Sequence, residues 1–408
     1  MKSHHKFLLN KKFRIQRFPL LLRVVVAIIL GLILGRLLPE PVGRVFITFN
    51  SLFGEFLSFS IPLIILGLVA PAIAHLGRGA GKLLVLTAAI AYISTVFSGY
   101  FTYLPCMELF PDIISREAMP DGISKETAMG LLPYFQVQMP PALQVMTALV
   151  LAFTLGLGMA LLKTRYLQNV FDDFRNIISI VIEKVIIPLL PFYIFGIFLN
   201  MVRNGEAFAV LAQFSKVIVV IFTLHILLLL IQFTIAGVIG RKNPLKLLRT
   251  MLPAYATALG TSSSAATIPV TLKQTIKNGV QENIAGFTVP LCATIHMAGS
   301  TMKITACALA IMYMNNMSIE FGTISRFIFM LGITMVAAPG VPGGSIMAAL
   351  GLLSSILGFN EQLQALMIAL YIAMDSFGTA CNVTGDGAIS VIVDKIAGKE
   401  GRCCQNRE

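Results

Sequence analysis

Long apolar segments separated by short polar ones dominate the first 240 residues of the chain. Six such segments lie at 19–38, 45–75, 80–106, 141–162, 171–202 and 208–240. Because a helix needs about 20 apolar residues to cross the hydrocarbon core of a bilayer, each segment predicts one membrane span.

The pattern changes after Arg249. The segment 254–272 is only moderately apolar, contains a Ser/Thr/Gly cluster, and is followed by Lys273 and Lys277. Non-helical backbone lies at membrane depth only where protein or water completes its hydrogen bonds. Since basic residues flank both ends, this segment predicts a re-entrant hairpin rather than a crossing.

The rest of the chain repeats this arrangement. A span at 282–314 is interrupted at 296–300, a second broken segment at 331–353 carries a Gly/Pro cluster, and an apolar helix follows at 366–397. Hairpin, span, hairpin and span in succession resemble an inverted repeat. We therefore predict an all-α membrane protein with eight transmembrane helices, two re-entrant helical hairpins and inverted repeats.

The last of these helices carries a polar stripe. Its polar residues are spaced by four, three and four positions and are Asp375, Thr379, Asn382 and Asp386. At about 100° per residue they fall within roughly 60° of one another on a helix. A carboxylate in the hydrocarbon layer costs at least a few kcal/mol and normally faces a cavity, a partner or a cation. The stripe therefore predicts a functional site.

The composition supports a membrane protein. The chain has 408 residues, of which 56% are hydrophobic and 12% charged, with a mean hydropathy of +0.83. A soluble domain of this size is far less apolar. The net charge of +12 comes from basic residues beside apolar segments, where they set orientation in the bilayer and do not indicate nucleic-acid binding. The six cysteines lack metal-ligand spacing, and no organic cofactor is expected.

Every second loop is basic, which places those loops and both termini in the cytoplasm. The basic segment 1–18 precedes an apolar run that has no clear cleavage site, so we expect a retained first span. The protein is predicted to be a multi-pass protein of the plasma (inner) membrane. The basic residues used here include Lys2, Lys6, Lys11, Lys12, Arg14, Arg17, Arg78, Lys82, Lys163, Arg165, Arg241, Lys242, Lys246 and Arg249.

Three ordered motifs in the second half resemble a known family. Residues 261–270 read TSSSAATIPV, residues 340–343 read GVPG, and residues 382–386 read NVTGD. Over roughly 245–397 the chain resembles the dicarboxylate/amino acid:cation symporters, which include the glutamate transporters. Within that family its motifs look most like those of the sodium-coupled serine/threonine and neutral amino acid carriers.

The resemblance implies a homotrimer in which a static scaffold carries a transport domain that moves like an elevator, gated by the second hairpin. It also implies a cytoplasmic N-terminus (1–18) and tail (398–408). The scaffold would comprise 19–75 and 141–202, and the transport domain 80–106 and 208–397.

The resemblance also implies the residues that bind substrate. Backbone amides around Ser263 and Ser264, and the side-chain amide of Asn382, would hold the α-carboxylate of an amino acid. Asp375 would pair with its amino group. The pocket would be completed by Val341, Gly343, Gly378 and Thr379.

Two sodium sites are implied in the same way, so one or two ions are expected. The first would use the Asp386 carboxylate and backbone carbonyls. The second would use the carbonyl of Thr294 in the seventh span and those of Met335, Val336 and Ala338 in the second hairpin. The residues implied for these sites are Cys292, Thr294, His296, Met297, Met335, Val336, Ala338, Asn382 and Asp386.

Departures from the family pattern favour a neutral substrate. Acidic-substrate members carry an arginine three residues after the amine-binding aspartate, where this chain has Gly378; some keep it in the first hairpin, where this chain has Ser262. Without that cation, a second substrate carboxylate would be buried unpaired at a cost on the order of several kcal/mol. A serine-, threonine- or alanine-like, or larger neutral, amino acid is expected.

Further departures concern ion coupling. Ala298 replaces a cation-binding aspartate, and Ile90 and Ala91 stand where the third span contributes hydroxyls, so fewer sodium ions are expected than in glutamate transporters. His296 replaces an asparagine, and its role is either structural or coupling. Lys303 either reaches an interface or serves as a tethered or titrating cation.

Other functions were weighed against this one. A proton-coupled symporter, or one for acidic amino acids or dicarboxylates, stays within the family. An intramembrane hydrolase using Ser263 or Ser264 with His296 lacks a nucleophile-elbow or Ser-Lys signature. A passive channel would conduct without sodium-dependent accumulation. We therefore predict a transporter and not an enzyme.

Overall fold

A computed structural model describes residues 20–77, 82–114, 131–162, 164–205, 207–338 and 342–405, and every regular element in these ranges is a helix. Outside the described residues lie the basic N-terminus, Arg78, residues 115–130, Lys163 and Val341. Each of the six predicted spans corresponds to a helical segment. They are α1 (Leu20–Leu37), α2 (Glu40–Gly77), α3 (Lys82–Ile113), α4 (Val145–Leu161), α5 (Tyr166–Val181), α6 (Ile187–Arg203) and α7 (Ala207–Gly240), with a π-helical turn, Ile182–Ile186, joining α5 to α6.

The second half contains two packed helix pairs where the hairpins were predicted, and a broken span; re-entry of the two pairs into the membrane stays a prediction. Helices α8 (Pro244–Thr261) and α9 (Ser264–Lys277) pack against each other as the first hairpin, and α12 (Phe321–Ala337) and α13 (Gly344–Ser355) as the second. The seventh span is broken into α10 (Glu282–Ile295) and α11 (Ala298–Met314). The last elements are α14 (Glu361–Ala373) and α15 (Asp375–Gln405).

Several helices are long enough to cross a membrane. Within the described ranges, five helical segments meet this criterion by length and composition, and α14 with α15 makes a sixth if the bent pair is one span. The chain is therefore a multi-pass membrane protein, whereas the number of eight spans remains a prediction. The five segments are Glu40–His75, Lys82–Ile113, Tyr166–Arg203, Ala207–Gly240 and Glu282–Met314.

The break between α14 and α15 was not predicted, because residues 366–397 were interpreted as one continuous helix. The two helices meet at Met374 with a bend of 62°. Neither glycine nor proline marks this point in the sequence. The Met374 carbonyl accepts hydrogen bonds from the Gly378 N–H (3.2 Å) and from Lys303 Nζ (3.0 Å). A distant side chain therefore stabilises the bend.

The helices pack in two groups. In the first, α2 lies along α4, α5 and α6, and α1 lies along α6. In the second, α3, α7 to α10 and α12 to α14 surround α15 and α11. Contacts between the groups join α2 to α12 and α13, and α14 to α1 and α6. The second group contains every break and both hairpin tips.

Small residues permit close helix contacts, which drive helix association in lipid. On α1, a Cβ atom at Gly31 would lie 2.9 Å from the carbonyl oxygen of Phe195 on α6. On α4, a Cβ atom at Gly156 would lie 2.9 Å from the carbonyl oxygen of Ala70 on α2. Two residues further, a Cβ at Gly158 would meet no atom within 4 Å.

We expect Gly156→Ala to destabilise the protein by about 1–3 kcal/mol, because backbone must move to admit the methyl group. Gly158→Ala is the matched control on the same helix, and it should be neutral or slightly stabilising because alanine favours helix. Thermal unfolding of the purified variants in detergent measures both effects. Equal melting temperatures for the two variants would contradict the α2–α4 packing.

Candidate functional site

Two buried charge pairs lie beside the helix breaks. Lys303 on α11 faces Asp375 at the start of α15, with an Nζ–Oδ1 distance of 3.7 Å and side-chain exposures of 1% and 8%. His296, between α10 and α11, contacts Asp386 with an Nδ1–Oδ1 distance of 2.9 Å and exposures of 0% and 1%. Both predicted carboxylates of the α15 stripe are therefore paired inside the protein.

The second hairpin reaches the first of these carboxylates. The Gly343 N–H, at the hairpin tip, donates to Asp375 Oδ2 at 2.8 Å. Gly343 has φ +75°, a left-handed conformation that glycine adopts without steric cost. Lys303 Nζ also lies 3.9 Å from the centre of the Tyr371 ring, which stabilises a cation on its face.

Lys303 occupies the space that a side chain at residue 378 would need. A Cβ atom built on Gly378 would lie 2.2 Å from Lys303 Cε and 2.4 Å from its Nζ. The space beside Gly378, where acidic-substrate members of the family that the chain resembles have an arginine, is therefore filled by the ammonium of Lys303 from another helix. The sequence singled out both residues but did not bring them together.

The first hairpin reaches the same turn of α15. The Ser262 and Ser376 hydroxyl oxygens are 2.7 Å apart, and Ser262 has a left-handed φ of 51° that ends α8. Ser263 begins α9 with its side chain accepting from the Ala266 N–H (3.3 Å), and Ser264 is buried behind it. Both hairpin tips thus meet at the start of α15.

A hydrogen-bond chain runs through the His296–Asp386 pair. The Gln232 side-chain amide donates to Ser94 Oγ (3.1 Å), and Ser94 Oγ lies 3.1 Å from His296 Nε2. A neutral imidazole with its proton on Nδ1 satisfies every contact, because Ser94 donates to Nε2 while Nδ1 donates to the ionised Asp386. The pair then carries a net charge of about −1.

One carboxylate oxygen of Asp386 has no hydrogen-bond partner among the described residues. This oxygen, Oδ2, is buried. Nearby, the last turn of α10 ends at Ile295, so its final carbonyls lack helical partners. The Cys292 carbonyl accepts from the His296 N–H at 2.8 Å and retains a second lone pair. These oxygen donors suit a hard cation.

The residues predicted for the second cation site lie mainly at the end of α12. Met335 and Ala338 are buried there, and Val336 packs beside Cys292 and Ile295. Thr294 is exposed on α10, with its hydroxyl donating to the Leu291 carbonyl (2.7 Å). The carbonyl-rich end of α12 therefore lies beside the break between α10 and α11.

Asn382 is fully engaged within the protein. Its Oδ1 accepts from the Gly299 N–H (2.8 Å) and the Ser300 N–H (3.3 Å), and its Nδ2 donates to Ser300 Oγ (3.1 Å) and contacts Met297 Sδ (3.3 Å). Asn382 therefore caps the start of α11. Thr379, one turn from Asp375, donates its hydroxyl proton to the Asp375 carbonyl at 3.1 Å.

Sequence reasoning missed several polar residues of the site. Ser300 contacts both Tyr371 Oη (3.0 Å) and Ser345 Oγ (3.4 Å). Tyr371 lies four residues before Asp375, a spacing that places the two on one face of a helix. On the continuous helix that the sequence predicts, this spacing could have identified Tyr371 as a residue of the site.

The third span does supply hydroxyl groups, contrary to what Ile90 and Ala91 led us to expect. Ala91 packs beside Cys292, but one to two turns later Ser98 donates to the Ala298 carbonyl (2.8 Å) and Thr95 accepts from the Met297 N–H (3.4 Å). The expectation of fewer sodium ions stays a prediction.

Comparisons with known proteins agree with this geometry. The sequence model of the sodium:dicarboxylate symporter family matches residues 20–396. The serine/threonine transporter SstT of Acinetobacter baumannii strain AYE is 27% identical over 391 residues, covering 93% of this chain and 97% of that protein. The SstT protein of strain ATCC 17978 of the same species is 26% identical over the same coverage.

A cysteine pair tests whether the first hairpin tip meets α15. In a variant that lacks the six native cysteines, we expect Ser262→Cys with Ser376→Cys to form a disulfide. The parent oxygens are 2.7 Å apart, close enough for sulfurs to reach a bond of about 2.05 Å. Cleavage at an engineered protease site between α11 and α12 would then leave the two fragments joined on a non-reducing gel.

Thr250→Cys with Ser376→Cys serves as the control, because residue 250 lies roughly 18 Å further along α8 and should not crosslink. Separation of the fragments in both variants would contradict the hairpin–α15 contact.

Proposed function

Because the chain belongs to the sodium:dicarboxylate symporter family, we propose that it is a secondary active symporter that imports a neutral amino acid with sodium. The observation that carries this proposal is the meeting of both hairpin tips at the first turn of α15, where Gly343 contacts Asp375 and Ser262 contacts Ser376. Gated access to a buried carboxylate is what a transporter of amines requires.

Charge balance supports a neutral substrate. Lys303 and Asp375 together carry no net charge, so a zwitterion leaves the site neutral. An acidic amino acid would add one negative charge without a cation to match it, at a cost on the order of several kcal/mol. The relatives named serine/threonine transporters support a small hydroxylated or aliphatic side chain.

The proposed pose follows from the available donors. The substrate ammonium would pair with Asp375, and its carboxylate would meet the N–H groups of Ser263 and Ser264 at the start of α9, where the helix dipole favours an anion. Asn382 would join the carboxylate by exchanging its internal contacts. The pocket would be lined by Val341, Gly343, Gly378 and Thr379.

Sodium would be the co-transported ion. The free Oδ2 of Asp386, with carbonyls of Cys292, His296 and Asn382, would form the first site, and Met297 lies in the same break. Carbonyls of Thr294, Met335, Val336 and Ala338 would form the second. Because the second site includes the end of α12, ion binding and closure of the second hairpin would stabilise each other, giving reciprocal coupling.

We propose that transport follows an elevator mechanism in a homotrimer of the plasma membrane, with both termini cytoplasmic. The two packing groups of helices support a division into a scaffold (α1, α2, α4 to α6) and a moving body (α3, α7 to α15). The hydrogen bond from Gly343 to Asp375 (2.8 Å) must break when substrate enters, which makes the second hairpin the gate.

One observation favours a second candidate function within the family. The ammonium of Lys303 lies beside Gly378, where it could meet the side-chain carboxylate of an acidic amino acid or of a dicarboxylate. The hydrolase hypothesis gains no such support, because the ring nitrogens of His296 contact Ser94 and Asp386 rather than Ser263 or Ser264.

Uptake by reconstituted protein tests the proposed function. We expect liposomes with an inward sodium gradient to accumulate labelled serine, threonine or alanine, with little uptake of aspartate and little uptake in choline. Larger neutral amino acids belong in the same screen. Asp375→Asn should abolish this uptake, because the substrate ammonium loses its counter-charge.

Sodium-driven accumulation of aspartate or a dicarboxylate in preference to serine would overturn the proposed specificity. Uptake driven by a proton gradient alone would replace sodium as the coupled ion.

Asp386→Asn tests the first sodium site. We expect the sodium concentration for half-maximal serine uptake to rise at least about tenfold, because a neutral amide binds a hard cation more weakly than a carboxylate. Asp394→Asn is the control on the same helix. Asp394 accepts a hydrogen bond from the Gln281 N–H (3.1 Å), and asparagine can accept it equally. An unchanged sodium dependence in Asp386→Asn would contradict this site.

A further inference from the structure

We infer that Lys303 is an internal counter-ion that neutralises Asp375 whenever no substrate ammonium is bound there, so that the unloaded carrier can return across the membrane. This inference rests on the proposed function and adds a device for completing the cycle. In the unloaded carrier, Lys303 takes the place of the substrate's ammonium group.

The Lys303 ammonium and the Asp375 carboxylate lie close together but share no short hydrogen bond. Lys303 Nζ lies 3.7 Å from Asp375 Oδ1, beyond the length of a good hydrogen bond. The ammonium is held instead by the Met374 carbonyl (3.0 Å) and the face of the Tyr371 ring (3.9 Å). Asp375 Oδ2 accepts from the Gly343 N–H (2.8 Å), and Lys303 neutralises the carboxylate by charge without a short hydrogen bond to it, so a substrate ammonium can take a closer position.

Gly378 leaves the space that the end of the Lys303 side chain occupies. A Cβ atom there would overlap the last two atoms of the Lys303 side chain, at 2.2 and 2.4 Å. A side chain at residue 378 would therefore displace the end of Lys303 from its present position beside Asp375. The ammonium cannot reach solvent from this position, since its side chain is 1% exposed.

The charge states of the cycle explain why such a device is useful. Loaded with a zwitterion, the site holds Asp375, Lys303 and one ammonium–carboxylate pair, which sum to zero. Unloaded, it holds Asp375 and Lys303, which also sum to zero. Without Lys303 the return step would carry an unpaired carboxylate through the hydrocarbon layer, and breaking a buried pair is strongly unfavourable.

Two transport modes separate this role from substrate binding. Net uptake into liposomes without internal amino acid needs the unloaded carrier to return, whereas exchange of labelled for unlabelled serine, with sodium on both sides, does not. We expect Lys303→Met to reduce net uptake at least about tenfold because Asp375 is left unpaired, while exchange stays within about threefold of wild type, since the substrate ammonium then pairs with Asp375.

Gly378→Ala should also reduce net uptake, because the methyl group displaces the ammonium from Asp375. Lys216→Met is the matched control: Lys216 is an exposed lysine on α7 that donates to the Ile113 carbonyl (2.8 Å). Both modes should proceed at wild-type rates in that variant.

Equal losses of net uptake and exchange in folded Lys303→Met protein, checked by size-exclusion chromatography, would assign Lys303 to substrate binding and overturn the inference. Unchanged net uptake would overturn it as well. If Lys303→Met does not fold, Lys303→Gln is judged by the same criteria. Failure of the wild-type protein in both modes would instead contradict the proposed function.

Discussion

The structure depends on one constraint: an ionised carboxylate buried among apolar helices must have a partner. Two such carboxylates, Asp375 and Asp386, lie on one face of α15, and each meets a basic side chain from the broken seventh span. Lys303 brings an ammonium to Asp375, whereas His296 brings a ring nitrogen within hydrogen-bonding distance of Asp386. The two ends of the stripe therefore differ in their surroundings.

The breaks in the helices follow from the same constraint. Each break frees backbone groups that lipid cannot satisfy, and in the described residues side chains from other elements pair with several of them. Gly343 donates to Asp375, Asn382 caps α11, and Met374 accepts from Lys303. Because these contacts cross between elements, a ligand that alters one of them affects the others. Coupling of ion and substrate then requires no separate relay.

Local patterns predicted much of this arrangement. The helical spacing of the polar residues of α15 predicted that they share one face. The Ser/Thr/Gly and Gly/Pro clusters predicted the positions of both hairpin tips. The bend at Met374 was not predictable in this way, because it is stabilised by Lys303, 71 positions away. The same holds for the fit of Lys303 against Gly378 and for the contact of Ser94 with His296. Periodicity identifies the face of a helix, but not the side chain that another helix brings to it.

The most direct test of the central claim is a cryo-electron microscopy structure of the protein in lipid nanodiscs with sodium and serine. The account predicts serine between the two hairpin tips, with its ammonium within hydrogen-bonding distance of Asp375 and with Lys303 still beside Gly378. Serine bound elsewhere, or hairpin tips in bulk solvent away from the start of α15, would contradict it.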